Sequence, residues 1–184
     1  ETDIVEKKFL NQIIKILKKR KIVINDYLEP PKGAEKLDWK KIKRLVFKST
    51  LYGDDADRAL QKNDGSWTYF ANDLAYHYYK IKRYNSNLIN ILGADHTGYV
   101  KRITSAVKAI SNGKFMLNCK VCQLVKLFKN GEPFKMSKRS GEFVSVSELL
   151  KEVNRDALRF MMLYRSNDVE LDFDFDSVVE KSKD

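Results

Sequence analysis

The chain of 184 residues has the length of one domain, and its 43% apolar content is high enough to form a hydrophobic core. Its apolar runs are shorter than the roughly 20 residues that a membrane helix needs, and the opening Glu1-Thr2-Asp3 lacks the basic flank and apolar stretch of a secretory signal. Lys and Arg exceed Asp and Glu by 35 to 25, a net charge of +10 that suits polyanionic partners and equally suits an ordinary solvated surface. We therefore expect a globular, cytoplasmic chain with no membrane partner.

Hydrophobic periodicity predicts alternating helices and strands, with the character changing to helices after Gly141. Asp-Gly at 64–65 predicts a hairpin turn, because these residues tolerate the positive φ angles of tight turns. The predicted helices cover residues 4–19, the stretch from the hairpin to about 83, 98–110, 145–153, 155–164 and a last one from about 177. The predicted strands cover 21–28, 58–62, 67–69, a buried parallel strand at 88–92, and 114–128, with a loop at 30–33 and a turn at 129–132.

Cys119 and Cys122 are the only cysteines, and their C-x-x-C spacing could be half of a four-ligand zinc site. The other half of such a site is missing from the sequence. The surrounding segment reads as strand, in which residues three apart point to opposite faces and cannot hold one ion. We therefore expect buried free thiols and no protein-bound metal.

Two lysines three apart lie on a Ser/Gly-bearing loop at Lys135-Met136-Ser137-Lys138-Arg139-Ser140-Gly141. Ammonium groups on long stems can reach a triphosphate and neutralise the charge that develops when its α-phosphorus is attacked. A bare K-x-x-K pattern would more simply be a solvated basic turn, whereas the full heptapeptide is much rarer. The heptapeptide predicts a phosphate-binding loop.

The predicted strand that ends at Gly93 is followed by Asp95 and His96. Ligands of open α/β sheets bind at the carboxyl ends of strands. Gly93 would let the backbone approach a base or ribose, and Asp95 can accept hydrogen bonds from ribose hydroxyls. The alternative is that Asp95 only caps the helix that starts near Gly98.

Tyr69 and Asp73 lie four residues apart where the hairpin meets the next helix, so they share a helix face. A guanidinium group pairs with a planar carboxylate and favours a neighbouring aromatic ring, so this pair suits arginine. The alternative is that Asp73 is an ordinary first-turn acid and Tyr69 a core aromatic.

These three motifs carry a resemblance to a known family. The lysine loop resembles the second signature of class I aminoacyl-tRNA synthetases, and the stretches 64–77 and 93–99 resemble bacterial arginyl-tRNA synthetases in particular. The segments 28–33, 52–58, 156–160 and 171–174 are also similar to that family. The resemblance thus runs over nearly all of the chain.

The resemblance implies an α/β fold, the carboxyl-terminal half of a class I Rossmann-like nucleotide-binding catalytic domain with parallel strands at residues 1–142, followed by helical stem at 143–184. It implies joining of L-arginine to tRNA(Arg) through an arginyl-adenylate, with ATP as substrate and Mg²⁺ accompanying the ATP. The implied arginine-binding residues are Tyr69, Asp73 and His96. The implied ATP-binding residues are Gly93, Asp95, Met136, Ser137 and Lys138, with Lys135 and Lys138 catalytic.

The chain also departs from the family pattern, because His77 and His96 are its only histidines and neither lies in a His-x-Gly-His signature. With no initiator Met, no such signature and no anticodon-reading domain, we expect a piece of a monomeric enzyme that is inactive alone and can self-associate through uncovered apolar surface. Two alternatives stay open. One is a class I synthetase for another amino acid, and the other is a non-catalytic RNA-binding fragment.

Overall fold

The computed structural model describes residues 7–28, 42–129, 131–133, 145–174 and 176, and all structural statements refer to these residues. Helices and strands alternate along them, as predicted for an α/β chain. The helices are α1 (Lys7–Lys19), α2 (Tyr69–Tyr84), α3 (Val100–Ile110), α4 (Val146–Glu152) and α5 (Arg155–Tyr164). The strands are β1 (Val23–Asp26), β2 (Arg44–Phe47), β3 (Arg58–Ala59), β4 (Leu88–Gly93), β5 (Leu117–Cys122), β6 (Val125–Lys129), β7 (Glu132–Pro133) and β8 (Leu171–Asp174). Two short 3₁₀ helices cover Ser49–Tyr52 and Ala94–Tyr99.

The chain forms two compact units. The first contains Glu1–Asn90 and Gly98–Lys120, and the second contains Ile91–Thr97 and Val121–Asp184. Strands β4 and β5, which form a two-stranded sheet, each run from one unit into the other. The chain therefore crosses between the units twice inside strands and once inside the 3₁₀ helix Ala94–Tyr99.

Three helices and a small antiparallel sheet build the first unit. The sheet has the order β1-β2-β3, with Val23 opposite Phe47 and Val46 opposite Ala59. Helix α1 contributes apolar residues at helical spacing, which places them on one buried face. The core members from the helices are Leu10, Ile13, Ile14, Leu17, Phe70, Ala71, Leu74, Ala75, Ile103, Ala106, Val107, Ala109 and Ile110.

A buried polar network joins the 3₁₀ helix at Ser49–Tyr52 to α3. Ser49 donates to a carboxylate oxygen of Asp54 at 2.7 Å, and its hydroxyl also lies 2.8 Å from that of Ser105. Arg58 donates to both carboxylate oxygens of Asp54, at 2.8 and 2.6 Å, and also pairs with Asp55. Because every buried polar group here has a partner, the network is compatible with the surrounding apolar core.

The second unit contains a three-stranded sheet of order β7-β6-β8, in which β6 and β8 run parallel. Phe173 of β8 is fully buried and clusters with Leu149 of α4, Val153 just after α4, and Leu158 of α5. Helix α4 begins with a capping box, in which Ser145 accepts from the backbone N–H of Glu148 and the Glu148 carboxylate accepts from that of Ser145. The second unit therefore has an apolar cluster of its own.

Most predicted elements are confirmed, with four corrections. The strand predicted at 67–69 is limited to the bridge of Trp67 with Gln61, because Tyr69 is the first residue of α2. Strand β4 is not buried throughout, because Leu88 is buried while Ile89 and Ile91 are exposed. Cys119 and Cys122 are free thiols on β5, but both are only half-buried. The segment 143–184, which was expected to be helical stem, also contains strand β8. The predicted loop at 30–33, the domain boundary at 142 and the helix from 177 lie outside the described residues.

Candidate active site

Helix α2 starts at the predicted junction after the hairpin. The turn is formed with Gly65 at a φ of 80°, and Gln61 and Trp67 form an antiparallel bridge across it. Thr68 then caps the helix by accepting from the backbone N–H of Ala71 at 3.3 Å. The cap fixes Tyr69 as the first helical residue.

Tyr69 and Asp73 both lie on α2, one turn apart, as predicted. Tyr69 is 87% exposed, which rules out a core aromatic. Asp73 is half-buried and lies beyond the first turn, which contains no acidic residue, so it is not a first-turn acid either. Both structural alternatives for this pair are therefore wrong.

The Asp73 carboxylate receives a hydrogen bond from the hydroxyl of Tyr99, the residue just before α3. Among the described residues, no Lys or Arg side chain forms an ion pair with Asp73. Burial, and then the bond to Asp73, raise the pKa of Tyr99 well above its ordinary value, so the phenol keeps its proton at neutral pH. A half-buried carboxylate held by a neutral donor keeps its negative charge available for a cation.

His77 supports Asp73 from the next turn of the helix. Its Nδ1 lies 2.8 Å from the backbone oxygen of Asp73, and the amide nitrogen of Asn90 lies 3.0 Å from its Nε2. His77 is 3% exposed, and burial lowers the pKa of its imidazole below the ordinary value of 6.5. His77 is therefore a neutral structural contact between α2 and β4.

Gly93 is the last residue of β4, and Asp95 and His96 follow it, as predicted. All three residues belong to the second unit. Asp95 and His96 are exposed, and Nε2 of His96 lies 3.5 Å from a carboxylate oxygen of Asp95. A Cβ added to Gly93 would lie 2.6 Å from Oδ1 of Asp95, so only a glycine leaves this carboxylate where it is. Asp95 does not cap α3, because the residue before that helix is Tyr99 and makes no side-chain cap.

The remaining predicted site residues, Lys135, Met136, Ser137 and Lys138, lie outside the described residues. The structure thus brings Tyr69 and Asp73 together on one helix and brings Gly93, Asp95 and His96 together on one segment. In the described part of the chain, no group of three or more His, Cys, Asp or Glu side chains is placed to hold a metal ion. None of the described helices is long and apolar enough to cross a bilayer.

Sequence reasoning missed two contacts of Asp73. Tyr99 was part of the motif that ends the 93–99 stretch but had no role assigned, and it lies 26 residues from Asp73. His77 carried a signal that could have been used, since a residue four positions after Asp73 shares its helix face. The partner of its other nitrogen, Asn90, lies on a strand and could not be found from helix periodicity.

Comparison with known proteins agrees with the fold and these motifs. Residues 1–179 match the family of class I tRNA synthetases for arginine, catalytic domain, and the chain belongs to this family. It is 58% identical over 184 residues to the arginine–tRNA ligase of Pelagibacter ubique, and 54% identical over 171 residues to that of Roseobacter denitrificans. These matches cover 100% and 93% of this chain but only 32% and 30% of the relatives, so the chain spans about a third of their length.

Solved structures give the same result for the fold. A structure from Campylobacter jejuni, described provisionally as an arginyl-tRNA synthetase, is 32% identical with a TM-score of 0.72, covering 92% of this chain and 34% of its own. The arginyl-tRNA synthetase of Thermus thermophilus has the same TM-score of 0.72 at 18% identity, covering 97% of this chain and 37% of its own, and supports the fold alone. The fold is therefore part of a class I catalytic domain, as the sequence motifs predicted.

Proposed function

We propose that this chain supplies the arginine-binding helix, the ribose-binding segment and the phosphate-binding loop of an arginine–tRNA ligase. The reaction is ATP-dependent activation of L-arginine to arginyl-adenylate, followed by transfer to tRNA(Arg). The proposal rests on the family and on the motifs of this chain. In the proposal, the reaction takes place in the cytoplasm and supplies arginyl-tRNA for protein synthesis.

The observation that carries the proposal is the environment of Asp73. Asp73 is half-buried and lies on the same helix face as Tyr69. Its carboxylate accepts a hydrogen bond from the Tyr99 hydroxyl and forms no ion pair with a Lys or Arg of the described residues. A guanidinium is planar, permanently charged and forms paired hydrogen bonds with a carboxylate. In the proposal, which follows the family resemblance, Asp73 binds that group, Tyr69 covers it, and His96 is a further arginine-binding residue.

The ATP side of the proposal uses the other two motifs. Asp95 accepts hydrogen bonds from the ribose hydroxyls, and Gly93 gives the nucleotide close access to the backbone. Met136, Ser137 and Lys138 bind the phosphates, with Lys135 and Lys138 neutralising the charge that develops during adenylate formation. Mg²⁺ would arrive with the ATP phosphates, because this ion is usually held by substrate phosphates and one or two carboxylates rather than by a protein cage.

Arginine-dependent exchange of pyrophosphate into ATP tests the proposal. The assay is run in the presence of tRNA on the protein encoded by the complete reading frame, with arginine, lysine, citrulline and leucine compared. We expect exchange with arginine, and loss of exchange in the Asp73→Asn and Lys138→Ala variants. A preference for lysine, citrulline or leucine would reassign Asp73 and favour a synthetase for another amino acid.

The 184-residue chain gives a second comparison. It lacks the histidine signature that would share phosphate stabilisation with the lysine loop, so we expect no arginine-dependent exchange from this chain alone. Exchange at a rate comparable with the product of the complete reading frame would overturn this part of the proposal. Size-exclusion chromatography at two concentrations tests the expected self-association of the chain, and a concentration-independent monomer would contradict it.

A further inference from the structure

Tyr99 stands out among the aromatic residues because its hydroxyl is aimed at the carboxylate to which the proposed function assigns arginine recognition. It donates to Oδ2 of Asp73 from a position just before α3, and both residues lie in the first unit. We infer that Tyr99 is a positioning residue that sets the plane of the Asp73 carboxylate for paired hydrogen bonding to a guanidinium. This inference rests on the proposed function.

The ring of Tyr99 is itself held in place. It packs edge-on against the buried Phe70, with ring centroids 6.5 Å apart and an interplanar angle of 86°. The guanidinium of Arg102 lies over the ring, 5.2 Å from its centroid. With contacts on its edge and face, the ring presents its hydroxyl from a fixed point.

The main chain of Asp73 is held in place by helix α2, but this does not fix the orientation of its carboxylate. Its peptide oxygen contacts Nδ1 of His77 at 2.8 Å inside α2, which holds the main chain. The terminal torsion of an Asp side chain is broad, so the carboxylate plane can still rotate. The hydrogen bond from Tyr99 occupies one lone-pair site on Oδ2 and limits this rotation, while other sites on both oxygens stay available.

The orientation of the plane matters more for arginine than for lysine. A guanidinium forms two parallel hydrogen bonds only when its plane meets that of the carboxylate, whereas an ammonium group is a compact charge with rotatable donors. Loss of the Tyr99 hydroxyl should therefore weaken arginine binding more than lysine binding. A residue that only supported the fold would change the response to both amino acids and to ATP together.

Tyr99→Phe tests the inference in the product of the complete reading frame, since it removes the hydroxyl and keeps the ring that packs on Phe70. The matched control is Tyr84→Phe, which makes the same deletion at an exposed tyrosine at the end of α2. Pyrophosphate exchange in the presence of tRNA gives the KM for arginine and for ATP, and lysine is measured as a competitor of arginine.

We expect Tyr99→Phe to raise the KM for arginine about ten-fold, the scale of one lost hydrogen bond to a charged group. The KM for ATP and the inhibition constant of lysine should stay within about two-fold of the wild-type values, and Tyr84→Phe should behave as wild type. An unchanged KM for arginine, or equal rises for arginine and ATP, would overturn the inference while leaving the proposed function intact. If the wild-type protein shows no exchange with arginine, the proposed function fails and the inference falls with it.

Discussion

Asn90 and His77 are joined by a hydrogen bond that defines the protonation state of the buried imidazole. The amide nitrogen of Asn90 can only donate, so Nε2 of His77 must accept, and Nδ1 carries the proton toward the peptide oxygen of Asp73. A second proton on Nε2 would set two donors against each other in a buried position. Helix α2 and strand β4 are thus held by the neutral ring.

Acidification should therefore weaken the fold through His77. Its folded pKa is depressed by burial, so its contribution is complete above about pH 6.5 and is lost as the pH falls from there toward the folded value. The free energy of unfolding should decrease by up to about 1.4 kcal/mol per pH unit in this window. Urea unfolding at pH 8, 7, 6 and 5 measures the effect.

The control for this titration is His77→Gln, whose side-chain oxygen can still accept from Asn90 but does not titrate. The variant should be less stable at pH 8 and should lose the slope below pH 6.5. An identical slope in wild type and variant would assign it to other groups.

Replacing Asp54 or Asp55 by Asn should change the free energy of unfolding by very different amounts, although both carboxylates pair with Arg58. The Asp54 side chain is 0% exposed and that of Asp55 is 66% exposed. Burial alone would raise the pKa of Asp54, but hydrogen bonds from Arg58 and Ser49 outweigh it and hold the pKa well below its ordinary value. Asp54→Asn leaves the partly buried Arg58 guanidinium with only the exposed Asp55 as a charge partner.

Asp54→Asn should lower the free energy of unfolding by about 3 kcal/mol, the scale of a broken buried ion pair. Asp55→Asn should change it by less than about 1 kcal/mol. Urea unfolding at pH 7 compares the two variants with wild type. Equal effects would mean that burial of the Asp54–Arg58 pair does not determine its contribution.

Gly93→Ala should weaken ATP binding by displacing Asp95, the proposed ribose-binding residue. The added Cβ would lie 2.6 Å from the Asp95 carboxylate, so that side chain must rotate away. We expect the KM for ATP to rise roughly ten-fold in the product of the complete reading frame, as for one lost hydrogen bond to a charged group. Gly98→Ala is the matched control, because a Cβ there meets nothing within 4 Å.

Gly93→Ala should no longer raise the KM for ATP when the Asp95 carboxylate has already been removed. In an Asp95→Ala background, Gly93→Ala should add little, because the two substitutions act on one interaction. Additive increases in the KM for ATP would show that Gly93 acts independently of Asp95.

Lys21→Gly should stabilise the chain. Lys21 lies two residues after the end of α1 and has a φ of 58°. The N–H groups of Lys21 and Ile22 donate to the oxygens of Lys18 and Leu17 at 2.9 Å each, which is a Schellman motif. A side chain disfavours this left-handed conformation, so glycine should raise the free energy of unfolding by about 1 kcal/mol. Lys19→Gly, inside the helix, should instead lower it by about 0.5 to 1 kcal/mol. Thermal or urea unfolding of both variants checks the opposite signs.

Local features of the fold were predictable because they depend on neighbouring residues. Helix α5 has the predicted bounds, and the Asp64-Gly65 turn and the cap at Ser145 follow from short motifs. Strand β8 was not predicted as part of the stem, because it is formed by parallel pairing with β6, which places Val125 opposite Leu171. Such pairing between distant segments has no local signal.

In the candidate site, too, contacts within one element were predictable and contacts between distant segments were not. Tyr69 and Asp73 could be paired from helix geometry, and Gly93 with Asp95 from a strand end. The Tyr99 contact depends on how the start of α3 meets α2, a tertiary arrangement that spacing within one element does not encode. Burial along β4 was also mispredicted, since an apolar run alone does not reveal which face is covered.

The difference in exposure between Tyr69 and Asp73 has a kinetic consequence for the proposed pocket. Side chains as open to solvent as that of Tyr69 change rotamer in picoseconds to nanoseconds, whereas Asp73 is tethered at its carboxylate and its backbone. An incoming cation would therefore pair first with the fixed Asp73 carboxylate, and the Tyr69 ring would then rotate over it. Enclosure by Tyr69 would then be too fast to limit turnover.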